Sequence, residues 1–340
     1  MKKALFYLTK ANSYMPLVLL PLCAEKAFGN ILFAGISIVI WRLVTYYKSE
    51  TLNRALQYFI FKTALSIFLI LVAIMNINLY YQVTTIVILA TMLPVYFTID
   101  KVKKNNITNF ILIILGMLVA GFSLYRLPFL NYYLILISIL LIYKGKCHHQ
   151  EKSKLNLKNF YRADMAVIFI HNFHYYLFAF SIPLIFYKFS GKYYMTGIAC
   201  GLSWLLFLPK DYLTSFLQNY MNIRWIIGVG FLVTSLLLII IGACNNLFII
   251  SFCLIIQGAS AGLAEGFWNM EVIRKNSSLY WNLWKLGGII GGIFGGVIAF
   301  FQGVTIVFFI SGFLAFLGGI IHFVVNFLEK KANRGLKVGY

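Results

Sequence analysis

The feature that most constrains this chain is a series of long, uninterrupted apolar blocks. Ile226–Ala243, Leu247–Leu263 and Val304–Leu328 are each long enough, as helix, to cross a hydrocarbon core of about 30 Å. A helix in water would carry a polar face through such a block, and a membrane β-strand would alternate apolar with polar residues. Neither pattern is present, so the blocks predict spanning helices, whose backbone hydrogen bonds close within each span. The composition agrees: only 11% of the 340 residues are charged, against about 25% in soluble domains. Met1-Lys2-Lys3 leads into an apolar run without a small-residue cleavage site, which reads as a retained first helix.

Twelve spans are predicted, near residues 4–23, 31–47, 56–77, 80–97, 109–125, 129–143, 165–187, 196–217, 225–244, 247–270, 280–301 and 304–328. With the N-terminus in the cytoplasm, twenty of the 29 Lys and Arg residues fall on the cytoplasmic side. Only Lys26, Arg126, Lys188 and Lys192 fall outside. This positive-inside bias predicts a multi-pass protein of the cell membrane with both termini cytoplasmic. It also explains the net charge of +20 as a topology and lipid-contact signal, so no nucleic-acid partner is expected. Cys23, Cys147, Cys200, Cys244 and Cys253 lack motif spacing, and His148-His149 lies in a basic loop, so neither a disulfide framework nor a metal site is expected.

The segment 144–164 is the one long polar stretch, and it divides the chain near its midpoint. The expected organisation is a six-helix half over 1–143, a cytoplasmic linker over 144–164, a second half over 165–328 and a tail over 329–340. The halves repeat weakly. Asp100-Lys101-Val102-Lys103-Lys104 follows the fourth span as Glu271-Val272-Ile273-Arg274-Lys275 follows the tenth, and the same offset of 171 carries Gly121 onto Gly292. An even number of helices per half makes the repeat parallel, about an axis along the membrane normal.

On these residues the chain resembles the major facilitator superfamily, best over 165–320. Ser215-Phe216-Leu217-Gln218-Asn219-Tyr220-Met221-Asn222-Ile223-Arg224 stands where the family carries Gly-x-x-x-Asp-Arg-x-Gly-Arg-Arg, although only the final arginine is kept. Gln257-Gly258-Ala259-Ser260-Ala261-Gly262 resembles its glycine-rich tenth helix, and the run from Leu286 to Gly296 its eleventh. The expected fold is therefore an all-α membrane protein of twelve transmembrane helices in two parallel six-helix repeats. The glycines of the eleventh span read first as close-packing positions and second as a hinge or cargo-facing surface.

Ionisable groups inside spans are costly and mark pathways. Lys10, Arg42, Lys62, His171, Lys210, Glu265 and Lys285 all fall at one level, roughly 7–11 Å from the cytoplasmic end of their helices. Such a ring reads as a vestibule, or else as long basic side chains snorkelling to the interface. Asp211, His171 and Glu265 are too short to snorkel. The resemblance implies that the first, fourth, seventh and tenth helices line a cavity. That adds Asn12, Gln82, Thr85, Asn172, His174, Tyr175, Gln257 and Asn269 to the candidate pathway.

The expected function is secondary active transport of a small, anionic solute or metabolite by alternating access, driven by a proton or solute gradient, with export favoured over import. His171, His174 and Glu265 are the candidate coupling groups. No Walker sequence and no HExxH occurs, so no cofactor and no catalytic residue is expected. A membrane-embedded enzyme acting on a lipid-linked substrate is the rival reading. The sequence leaves cargo identity and oligomeric state open.

Overall fold

The computed structural model describes residues 16–46, 106–126, 162–207 and 210–335. The expected third, fourth and sixth spans, most of the central linker, Lys10, Asn12, Lys62, Gln82 and Thr85 lie outside these residues. The described residues form ten helices: α1 (Pro16–Phe28), α2 (Leu32–Tyr46), α3 (Asn106–Arg126), α4 (Arg162–Ala179), α5 (Ser181–Ser190), α6 (Tyr193–Leu205), α7 (Lys210–Gln218), α8 (Ile223–Ala243), α9 (Leu247–Gln302) and α10 (Val304–Gly335). Four stretches among them are long and apolar enough to cross a membrane: Met165–Ser190, Arg224–Ala243, Leu247–Glu265 and Val304–Leu328.

Local chemistry sets where the helices start and stop. Asn30, Asn222 and Asn246 each accept a backbone amide ahead of a helix, from Leu32 at 2.9 Å, Arg224 at 3.0 Å and Phe248 at 2.8 Å. Two expected spans are broken, each four residues before a proline. α4 ends at Ala179 ahead of Pro183, and α6 ends at Leu205 ahead of Pro209. A proline has no amide to offer the carbonyl four residues back, and its ring crowds that carbonyl.

The tenth and eleventh spans depart from expectation the other way. The polar segment 271–279, expected as a cytoplasmic connection, is helical, and α9 runs 56 residues without a break in the helix. A straight helix would hold Ser260 and Gly291 about 46 Å apart. Yet Ser260 touches Gly230 of α8, the neighbouring Phe231 ring meets the His174 ring of α4, and Phe173 lies against Gly291. That short path of contacts requires the α9 axis to turn back between the two residues. It therefore has a first arm on α8 and α6 and a second arm on α4 and α2.

Glycine brings the second arm close. A side chain at Gly287 would strike the Asn172 Cβ and the Phe169 carbonyl of α4, while one at Gly292 would strike Val39 of α2. Gly35 of α2 faces Gly292 and Gly296 backbone to backbone, and Gly121 of α3 faces Gly197 of α6 in the same manner. At the end of α6 where Tyr193 lies against Gly121, the Lys26 ammonium of α1 sits 4.8 Å above the Tyr187 ring of α5, which stacks on Tyr193 at 4.7 Å. Three of the four basic residues expected outside, Lys26, Lys188 and Lys192, thus gather at one end.

Candidate functional site

Two separate hydrophobic clusters fill the bundle of α4, α8, the first arm of α9 and α10. One contains Leu177, Phe178, Leu238, Ile241, Leu254 and Phe308. The other contains Val167, Ile168, Ile227, Phe231, Ala264 and Ala315. On every one of these four helices the residues between the two clusters include buried polar groups. They are His171, Asn172 and His174 on α4, Thr234 and Ser235 on α8, Gln257 and Ser260 on α9, and Ser311 on α10. The result is a polar layer across the middle of an otherwise apolar bundle.

The layer is partly knitted together. Ser260 directs its hydroxyl to the Gln257 carbonyl at 3.0 Å, which leaves Thr234 to donate to the Ser260 oxygen at 2.7 Å and ties α8 to α9. Ser311 donates to the His174 carbonyl at 2.6 Å and ties α10 to α4. The His171 and His174 rings meet nearly at right angles, 83°, with centroids 5.4 Å apart, and both pack on Phe231. Asn172 is turned away from this pair. Its amide donates to the Ile168 carbonyl at 2.9 Å and its Cβ lies against Gly287.

Three atoms of the layer are buried without a hydrogen-bond partner among the described residues: both ring nitrogens of His174 and Nε2 of Gln257. His174 is 1% exposed and Gln257 2% exposed. A buried polar group left in that state costs about 1–3 kcal/mol, so its retention calls for a reason.

Of the residues singled out in the sequence, His171, His174 and Gln257 come together in this layer. Tyr175 is half-buried on α4 against Tyr176 and Phe178. Glu265 is half-buried on the first arm of α9, two turns from Gln257. For Arg42 on α2, Lys210 and Asp211 on α7, and Asn269 and Lys285 on α9, the structure describes the backbone. The histidine pair faces α8 and α10, which correspond to the ninth and twelfth expected spans. Thr234, Ser235, Ser260 and Ser311 were missed in the sequence, where hydroxyls are ordinary in spanning helices; their shared level emerges only once the helices are in register. His322, on α10, lies 2.8 Å through Nε2 from the Arg224 carbonyl, which can only accept.

No family model and no curated protein matches this sequence. Among solved structures, one described as a bacterial metal transporter superposes with a TM-score of 0.67 at 12% identity, covering 95% of this chain and 97% of its own. The crystal structure of the human organic anion transporter MFSD10 (TETRAN) superposes with a TM-score of 0.55 at 10% identity, covering 94% of this chain and 98% of its own. At such identity the likeness is one of fold, and it extends over nearly the whole of each chain.

Proposed function

We propose that this chain, whose fold is that of the major facilitator transporters, is a secondary active transporter of the cell membrane. In this reading it has twelve spans in two parallel six-helix repeats with both termini cytoplasmic, and moves a small solute by alternating access. The observation that carries the proposal is the near full-length likeness to two transporters whose described cargoes differ, a metal in one and an organic anion in the other. Because those cargoes differ, the fold supports transport and leaves the cargo to other features.

The contacts between N-terminal and C-terminal elements support the repeat. α2 meets the second arm of α9, and α3 meets α6, both through glycine backbones. Gly121 and Gly292, one from each contact, are the residues that the offset of 171 relates. Small, smooth contacts of this kind suit surfaces that separate and re-form, since no interlocked side chains have to disengage.

The cargo is proposed to be anionic, carrying a carboxylate or phosphate. Lys10, Arg42, Lys62, Lys210 and Lys285 outnumber Asp211 and Glu265 within the spans, and a cytoplasmic vestibule so lined concentrates anions. Export is favoured over import, and a proton or solute gradient drives it. The test is flux in proteoliposomes across imposed proton and solute gradients, with a panel of organic anions, organic cations and divalent metals. Gradient-driven accumulation of an anion is the expected result. Absence of flux under every gradient, with turnover of a lipid-linked substrate instead, would favour the enzyme reading.

A further inference from the structure

We infer that the polar layer between α4, α8, α9 and α10 is a hydrated proton-holding site, with a ring nitrogen of His174 as the acceptor. Its role as the coupling site of transport rests on the function proposed above; the site itself does not.

A neutral imidazole offers one donor and one acceptor, and the Gln257 amide nitrogen offers donors only. Neither His174 nitrogen nor Gln257 Nε2 meets a partner among the described residues, although both side chains are buried. Water donates to an imidazole lone pair, accepts from its N–H and accepts from an amide, and it is small enough for a packed interior. A buried polar layer with several such groups is where ordered water is retained.

Thr234, Ser235, Ser260, Ser311 and Gln257 do not take up protons near neutral pH, whereas imidazole does. Among the residues whose side chains the structure describes, the histidines, acids and bases on the helices packed around His174 are few. α4 itself supplies His171, α8 carries Arg224 at its start, α9 carries Glu265 two turns from Gln257, and α10 carries His322 beside the Arg224 carbonyl. No carboxylate is among the buried residues of the layer, so the two imidazoles are its buried proton acceptors. Two cations with ring centroids 5.4 Å apart in an apolar bundle repel strongly, so the pair holds one proton at a time.

The step moves one proton. A proton from bulk water, relayed through layer water, adds to a lone pair on His174 and converts imidazole to imidazolium; it returns to water by the same bond. No other bond forms or breaks. The charge so gained sits between α4, α8 and α10, where Ser311 ties the His174 backbone to α10, so protonation bears directly on how these helices pack.

The test uses the full chain in lipid nanodiscs with ¹⁵N-histidine, of which there are five residues. Replacing His148, His149 and His322 by Gln leaves only the pair, and adding His171→Gln leaves His174 alone, so assignment does not depend on a His174 variant that folds. His174→Gln, where it folds, serves as a check. The expected result is a His174 ring signal that exchanges with water protons and takes up a proton reversibly as the sample is titrated down from about pH 9 to 4.5, with one proton for the pair. A His174 that stays neutral across that range and shows no exchange with water overturns the proposal. A titrating His174 in a protein without flux would remove the transport reading and leave the site standing. Flux with a silent His174 would do the reverse.

Discussion

Adding a single methyl group at Gly35 tests the packing of α2 on α9. An ideal Cβ there would lie 2.6 Å from the Gly296 Cα and 2.7 Å from the Gly292 carbonyl oxygen. Non-bonded heavy atoms rest at about 3.5–4.0 Å, so the two helices must part locally by about 1 Å. Every obstructing atom is backbone, and none can rotate aside. Overpacking of this kind costs about 1–3 kcal/mol, against which alanine's better helix propensity returns up to about 1 kcal/mol. Gly35→Ala is therefore expected to destabilise by about 1–2 kcal/mol. Gly201→Ala is the matched control. Its new Cβ would meet the Ile114 Cγ2 at 3.3 Å, the end of a side chain that can move, so its net cost is expected near zero. Thermal unfolding of the two variants in one detergent decides the matter. If they melt alike, the helices do not meet backbone to backbone and the close approach of α2 to α9 is wrong.

Other expectations follow from the same contacts and charges. Ser311→Ala removes the 2.6 Å bond to the His174 carbonyl and should lower unfolding stability by about 0.5–1.5 kcal/mol, with Ser311→Thr closer to the parent; an unchanged Ser311→Ala would show that the bond ties nothing. A cysteine placed at Ser153 should resist an impermeant thiol reagent added outside intact cells, and its labelling there would reverse the orientation. Lys10→Gln should weaken cargo binding more than Lys62→Gln, and equal small effects of both would reduce the basic ring to an interface anchor. Glu265→Gln should alter the pH profile of gradient-driven flux, whereas an unchanged profile would exclude Glu265 from coupling.

Much of the fold was legible because apolar length is a direct reading of the bilayer. The seventh, ninth and twelfth expected spans correspond to α4 with α5, α8 and α10, within a few residues at most ends. The errors have separate physical causes. Glu271, Arg274 and Lys275 suggested a loop because they are polar, but polarity sets depth and not conformation, and these residue types are good helix formers. The breaks before Pro183 and Pro209 were written in the sequence and outweighed by the apolar runs around them. The glycines from Gly287 to Gly296 were read as packing positions, and they sit against the backbones of α4 and α2. The site was half legible. Histidines stand out in an apolar helix, but nothing in a linear pattern indicates that Ser260 and Ser311, on different helices, share their level.

The unbroken helical backbone of α9 has a mechanical consequence. Its first arm carries Gln257 and Ser260 into the polar layer, and its second arm carries Gly292 and Gly296 onto α2. A flexible connection between the arms would absorb a small tilt of either one. A chain that stays helical around its bend keeps its backbone hydrogen bonds there and yields less to such a tilt than a loop would. The buried hydroxyl and amide of the first arm are thus joined to the seam where glycine meets glycine by one continuous run of helical backbone.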